Sequence, residues 1–450
     1  MTTGQKTKTI FIFGLTGMLT GCMGSDLGET TRNAFSATSP EAQSGTGADA
    51  AQPALAGGTG GSGDEAQSAL IDGLLARNSV LSSSSSFGKV AGAVLAANSR
   101  AAEAELRAAR LRADAASKNW LPTIGPSVSL TSLGEVIAGL VIDQVLFSNG
   151  RKKAERAFAK ADVEVAAVGL AEDTNARVFT ALELYITAEE ARAKVRAGEQ
   201  VITRMKRFAY VMDRRVQGGV SDRADLQITQ QKLAEIASTQ DADAQTAATA
   251  IAELNAMSLV PLNDVRGISP VRPPSASAKP LAVLKAEAQR ERAVAQATID
   301  RSGFLPTVSA RGNVTSKGSS ASLNVETENG IGFGTGASLK AIEAAREAAN
   351  RKVDQADEDS ARVLRRLERQ LVSLEQQQAN SASLLAQANA NLDLFDRQFK
   401  AGVRPVMDVV RVYETKARVE REQISFAYKA AKVRLKIARE LGVLVDGADI

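Results

Sequence analysis

Residues 120–131 read WLPTIGPSVSLT and residues 304–315 read FLPTVSARGNVT, two short stretches set between long alanine-rich segments without proline. In the first, Ile124, Pro126, Val128 and Leu130 alternate with Thr123, Gly125, Ser127 and Ser129. In the second copy, Leu323, Val325, Ile331 and Phe333 share one parity, and Ser322, Asn324, Glu326 and Glu328 the other. Such alternation predicts strands with one apolar and one polar face. The Leu-Pro-Thr triplets at 121 and 305 lie 184 residues apart, and the Gly-Val pairs at 219 and 402 lie 183 apart. Two tandem copies of one unit are the simplest account. Each copy reads helix, two strands, very long helix, glycine turn, returning helix.

Proline placement supports this division. After Pro126 none follows until Pro261; Pro261, Pro270, Pro273, Pro274 and Pro280 then cluster, and between Pro306 and Pro405 there is none. Proline is expelled from helix interiors, so 127–260 and 307–404 leave room for very long helices. With Leu364 at position a, the a/d series is Leu364, Leu367, Leu371, Leu374, Gln378, Ser381, Leu385, Ala388, Leu392, Phe395 and Phe399, of which nine of eleven are apolar. The series 183 residues earlier, Ala181 to Val216, repeats the seam with smaller side chains. Heptads sustained this far predict coiled-coil packing. A helix from Lys152 to Val216 would run about 100 Å at roughly 1.5 Å per residue, so an elongated molecule is expected.

Composition argues against an ordinary enzyme. The 450 residues include no histidine, one tryptophan and one cysteine, which removes the commonest general base and metal ligand. We expect no catalytic residues, no metal site and no cofactor. The 55 basic and 51 acidic residues are interspersed, as on solvated helix faces, and no basic arm points to nucleic acid.

At the N-terminus Lys6 and Lys8 precede the apolar run IFIFGLTGML, which ends at Leu19-Thr20-Gly21-Cys22. This pattern is that of a secretory signal, too short for a stable membrane span. The LTGC ending resembles the bacterial lipobox, in which Cys22 is lipidated, and Met23 after it favours the outer membrane. No later segment has 18 consecutive apolar residues, so a membrane would be spanned by strands. The sequence divides into a signal peptide (1–21), a flexible Gly/Ala/Ser-rich tether (22–87), a first repeat (88–260), a proline-rich linker (261–280), a second repeat (281–442) and a tail (443–450).

The first turn, QGGVSDRADL at 217–226, predicts a left-handed cap at Gly219 and an N-cap at Ser221, with Asp222 and Asp225 in or near the positive first turn. The second, AGVRPVMD at 401–408, places Pro405 at the first position of the returning helix. These are good hairpin connections in their own right, though Val220 and Val403 would be apolar side chains at exposed tips. Two hairpins supply four strands, too few to close a barrel with a lumen, so closure would require several chains.

The tandem layout resembles the TolC family of outer-membrane efflux and secretion channels, over about residues 88–442. The motifs that carry the likeness are the WLP and FLP strand starts, LFSNGR at 146–151, and the Gly-Val turns followed six residues later by Asp225 and Asp408. The resemblance implies a mainly α fold with a small β part: a homotrimer with a twelve-stranded outer-membrane β-barrel on a long periplasmic α-helical barrel. It implies a passive exit duct for efflux or type I secretion, docked on a periplasmic adapter and fed by an inner-membrane pump of RND or ABC type. Carried over, Gly219, Val220, Ser221, Gly402, Val403 and Arg404 become adapter contacts. Asp225, Phe399, Arg404, Asp408 and Arg411 become the periplasmic gate. The chain departs from the family there. Arg411 stands where a second aspartate is expected, Phe399 replaces a tyrosine, and an Asp408–Arg411 pair is expected within the helix. The second copy also lacks the LFSNGR-type junction. The competing expectation is a structural coiled-coil lipoprotein of the envelope without channel activity.

Overall fold

The computed structural model describes residues 68–97, 101–130, 136–274, 278–330 and 332–449. They all belong to one compact unit, Glu65–Ile450. The signal peptide, Cys22 and most of the expected tether lie outside the described residues, as does Ile331. Two short helices, α1 (Ala69–Leu75) and α2 (Ser86–Ala96), come first. The first repeat follows as α3 (Ala101–Ser117), β1 (Thr123–Leu130), β2 (Val136–Phe147), α4 (Arg151–Gln217) and α5 (Arg223–Ala256). The second is α6 (Leu281–Ser302), β3 (Thr307–Thr315), β4 (Gly318–Glu326), α7 (Thr335–Lys400) and α8 (Val406–Glu440). The order of elements is thus the same twice, as the repeat arithmetic predicts.

The four strands form one antiparallel sheet in the order β1-β2-β3-β4. Directly paired residues share a face, and the register puts Ile124 opposite Ile142, Val128 opposite Ala138, Leu140 opposite Val314, and Val308 opposite Val325. This apolar face is the exposed one, with Val128 73% and Leu323 71% accessible. The other face pairs Thr123 with Asp143, Asp143 with Arg311 and Arg311 with Ser322, and the Arg311–Asp143 ion pair spans 2.8 Å. The second copy departs from expectation beyond Glu326. Strand β4 stops there, and Phe333 lies in the turn before α7, fully exposed. Gly330, Gly332 and Gly334 surround it, and closely spaced glycines weaken a strand.

The junctions are tied to one another. Asn149 (φ 49°) and Gly150 (φ 85°) both take left-handed conformations, turning β2 sharply into α4; asparagine and glycine are the residues that tolerate this. The Asn149 side-chain amide donates to the Pro306 carbonyl at 2.7 Å, and the Arg151 guanidinium bonds Glu328. The LFSNGR motif of the first repeat therefore clasps the start and end of the second hairpin, which explains why the second copy can do without it.

Helices α4 and α7, of 67 and 66 residues, each extend about 100 Å. Helix α4 packs on α5, α7 packs on α8, and α4 against α8 joins the two pairs. Every a/d position from Leu364 to Phe399 is at least half-buried, while most of α7 around the seam is exposed. The earlier seam, Ala181 to Val216, is covered in the same way, and α4 is buried on further faces because α2, α3 and α6 also lie on it. Among the described residues no helix is long and apolar enough to cross a membrane.

The largest core lies midway along α4, where Phe87, Val90 and Val94 meet Val178, Leu182, Tyr185 and Ile186, with Leu262 and Leu435. Two expected boundaries change here. Residues 68–87 were expected to be tether, yet Leu74, Val80, Leu81 and Phe87 are buried. The Val80 amide donates to the Val443 carbonyl at 2.9 Å and the Arg272 amide to the Val80 carbonyl at 3.2 Å. The serine run closes the segment in order, with the Gly88 amide donating to Ser85 Oγ at 3.0 Å as the N-cap of α2. Four large apolar residues, each worth roughly 1.5–3 kcal/mol when buried, suffice once the C-terminal segment supplies backbone partners. That segment, expected as a tail, contributes Val443, Leu444 and Val445 to the same core.

Candidate functional site: the paired helix-hairpin tips

At the ends of α4 and α7 the chain turns with one geometry used twice. Gly219 (φ 72°) and Gly402 (φ 75°) are left-handed. The Val220 amide donates to the Arg215 carbonyl at 2.8 Å, and the Gly219 amide to Val216 at 3.0 Å. The Val403 amide donates to Gln398 at 2.9 Å, and the Gly402 amide to Phe399 at 2.9 Å. Both are Schellman caps, in which the residue after the glycine ordinarily makes an apolar contact back to the helix. A third copy ends α8, where Gly442 is left-handed and the Val443 amide reaches the Ala438 carbonyl at 2.9 Å. There the valine faces a buried alanine and is 4% exposed. At the tips the corresponding partners are Arg215 and Gln398, and Val220 and Val403 are 67% and 74% exposed. The tip valines are thus not needed by their own turns.

The starts of the returning helices differ from expectation by one residue. Asp222, not Ser221, is the N-cap of α5, accepting from the Ala224 amide at 3.1 Å; Ser221 Oγ instead accepts from Arg215 Nε at 3.1 Å. Pro405 precedes α8 in an extended conformation rather than opening it.

Of the expected gate residues, Phe399, Arg404, Asp408 and Arg411 lie at the second tip and Asp225 at the first, with one partner exchanged. Asp408 pairs with Arg404, at 3.4 Å, and not with Arg411. Arg404 is held there from elsewhere: its Nε donates to Gln398 Oε1 at 3.0 Å and its guanidinium carbon lies 4.4 Å from the Phe395 ring centroid. Arg411 is left exposed. Phe399 packs with Leu392, Phe395 and Met407 against a buried cluster of Met205, Phe208, Met212, Val409 and Tyr413. Asp225 is half-buried in the first turn of α5. One turn on, Thr229 Oγ1 donates to the Asp225 carbonyl at 2.8 Å and lies 3.3 Å from Met407 Sδ, a contact between α5 and α8.

The sequence reading missed a clasp just above. Asp396 binds Arg204 at 2.9 Å and Lys400 at 2.7 Å, joining α7 to α4. Burial pushes the Asp396 carboxyl up, but Lys400 and Arg204 together outweigh it and hold it below the usual carboxylate range. A signal existed: Asp396 is at an e position beside Phe395, where charges commonly choose helix partners. Further up, Lys232–Glu414 (3.7 Å) and Arg421–Asp243 (2.5 Å) connect α5 with α8. At the opposite ends of α4 and α7, large apolar side chains crowd the sheet–helix junction, with Trp120, Leu146, Phe147 and Phe333 all exposed.

No protein-family model and no curated protein matches the sequence. Solved structures do. A membrane protein from Pseudomonas aeruginosa superposes with a TM-score of 0.70 at 16% identity, over 80% of this chain and 91% of that one. The CmeC outer membrane channel of Campylobacter jejuni gives 0.67 at 13%, over 81% and 87%. The open state of the MtrE outer membrane channel of Neisseria gonorrhoeae gives 0.62 at 16%, over 84% and 89%. With the tandem hairpins, the paired long helices and the twin tips all in place, the chain has the fold of the TolC-type outer-membrane channels.

Proposed function

We propose that the chain is one protomer of a homotrimeric outer-membrane exit duct, passing substrates from a periplasmic adapter and inner-membrane pump to the outside. The observation that carries this reading is the sheet. Its apolar face is bare, its polar face carries the ion pair, and the outer edges of β1 and β4 are unpaired among the described residues. A soluble sheet buries its apolar face and covers its edges; a membrane barrel turns the apolar face to lipid and closes the edges on further strands. Three copies of four strands would close a twelve-stranded barrel. The exposed Trp120, Phe147 and Phe333 suit the interfacial girdle of such a barrel. The structural neighbours described as outer membrane channels add support.

In this reading Val220 and Val403, with Gly219, Ser221, Gly402 and Arg404, meet the adapter, and Asp225, Phe399, Arg404, Asp408 and Arg411 sit at the periplasmic constriction. Cys22 carries the lipid anchor, and Cys22→Ser should abolish labelling by radioactive palmitate. The duct is passive and works in either efflux or type I secretion, according to the pump, whether RND or ABC type. A purely structural envelope lipoprotein would have no use for an amphipathic sheet with one exposed apolar face. The test is planar-bilayer recording from the purified full-length protein: discrete conductance steps are expected, and trimers that never conduct would overturn the duct.

A further inference from the structure

The charges at the tips are unevenly used. Residues 204–228 and 393–411 hold ten lysines and arginines against six aspartates, an excess equal to the formal net charge of +4 for the whole chain. The remainder of the chain is therefore balanced, and the positive field is concentrated at one end of the long helices.

Three of the six acids there are engaged. Asp396 is taken by Arg204 and Lys400, Asp408 by Arg404, and Asp222 by the backbone of α5. Four of the ten cations, Arg207, Arg223, Arg397 and Arg411, are exposed and form no ion pair among the described residues; three of the acids, Asp213, Asp225 and Asp393, likewise form none. On α8 the spacing matters most. Asp408 and Arg411 are three apart on α8 and share one face, and Arg404, in the turn before the helix, reaches Asp408 there, while Val406, Val409, Val410 and Tyr413 turn into the buried cluster. The Arg404–Asp408 pair cancels, which leaves the Arg411 charge uncompensated on that face.

We infer that the periplasmic mouth of the duct selects for anions, so that the substrates this protein passes are negatively charged solutes bearing carboxylate, sulfonate or phosphate groups. The inference rests on the duct reading above. Three chains would bring the tip excess of four positive charges per chain, Arg411 included and Asp225 already set against it, around one entrance. Charges of one sign in a narrow passage raise the local concentration of the opposite ion. The effect survives physiological salt only where the passage is narrower than the screening length of about 8 Å. The ion pairs along the sheet's polar face and at its junction are balanced, Arg311 with Asp143 and Arg151 with Glu328.

The experiment is the reversal potential of the full-length protein in a planar bilayer under a potassium chloride gradient, where the two ions have nearly equal mobility. The wild type should reverse at a potential of the chloride sign. Arg411→Gln should bring it toward zero, Arg411→Asp should carry it further toward potassium, and Asp408→Asn should shift it the other way. A wild-type channel that prefers potassium would overturn the inference while leaving the duct intact. So would Gln and Asp variants with unchanged selectivity, including the case where they instead lose binding to an acidic adapter hairpin. Trimers without conductance would overturn the duct itself, and this inference with it.

Discussion

At the scale of single residues, the same backbone motif used three times separates structure from function. Val443 is consumed by its turn, because Ala438 offers an apolar surface; Val220 and Val403 are not, because Arg215 and Gln398 do not. Val220→Asp combined with Val403→Asp should therefore change stability by no more than about 0.5 kcal/mol, yet weaken capture by the cognate adapter at least tenfold; undiminished capture would remove the tip assignment. Asp396 makes a second case. Its carboxyl lies below the ordinary range in the folded chain, so its contribution is present above the unfolded value, about 3.9, and is lost as pH falls through the lower folded value. The thermal midpoint should fall more steeply with acid in the wild type than in Asp396→Asn, and parallel curves would show that the clasp contributes nothing. The tip glycines and valines were legible in the sequence because left-handed caps need glycine. The partner of Asp408 was not, because both Arg404 and Arg411 are within helical reach. What decides between them is the Phe395 ring nine residues before Arg404, on the other helix.

At the scale of elements, alternation foretold the faces of the strands but not where they end. Strand β4 closes at Glu326, seven residues short of Phe333, since parity says nothing of the glycines that interrupt it. Residues 68–87 were misread for the opposite reason: a serine-rich composition hides a few large apolar side chains whose partners lie more than 350 residues away, at Val443 and Asp446. The heptad seams, by contrast, were readable position by position, because a long helix with two neighbours must bury the same stripe throughout. The sheet offers a sharp contrast between adjacent residues. Leu323 is on the exposed apolar face and Ser322 on the polar one, opposite Arg311. Leu323→Arg should cost about 2–4 kcal/mol in the membrane-inserted protein and deplete it from the outer-membrane fraction, whereas Ser322→Arg should insert normally. Equal depletion would mean that the apolar face does not meet lipid.

At the scale of the whole molecule, the account depends on what one chain leaves unfinished. A four-stranded sheet with both edges open and its apolar face bare is not a stable end state, and the exposed flanks of α7 repeat that message along the helices. The repeat, the long helices and the shortage of strands could all be read from the sequence. The copy number and the closing partner belong to the proposed assembly, not to the single chain. Closure can be tested by pairing the edges. With Cys22, the chain's only cysteine, consumed by its anchor or replaced by serine, cysteines would be placed together at Ser127 on β1 and at Ser320, Ser322 or Asn324 on β4, and the membranes oxidised. All four positions belong to the polar face. The account predicts, for at least one pair, a ladder of covalent dimers and trimers that stops at three chains. Monomers in every pair, or a ladder that runs past three, would contradict it.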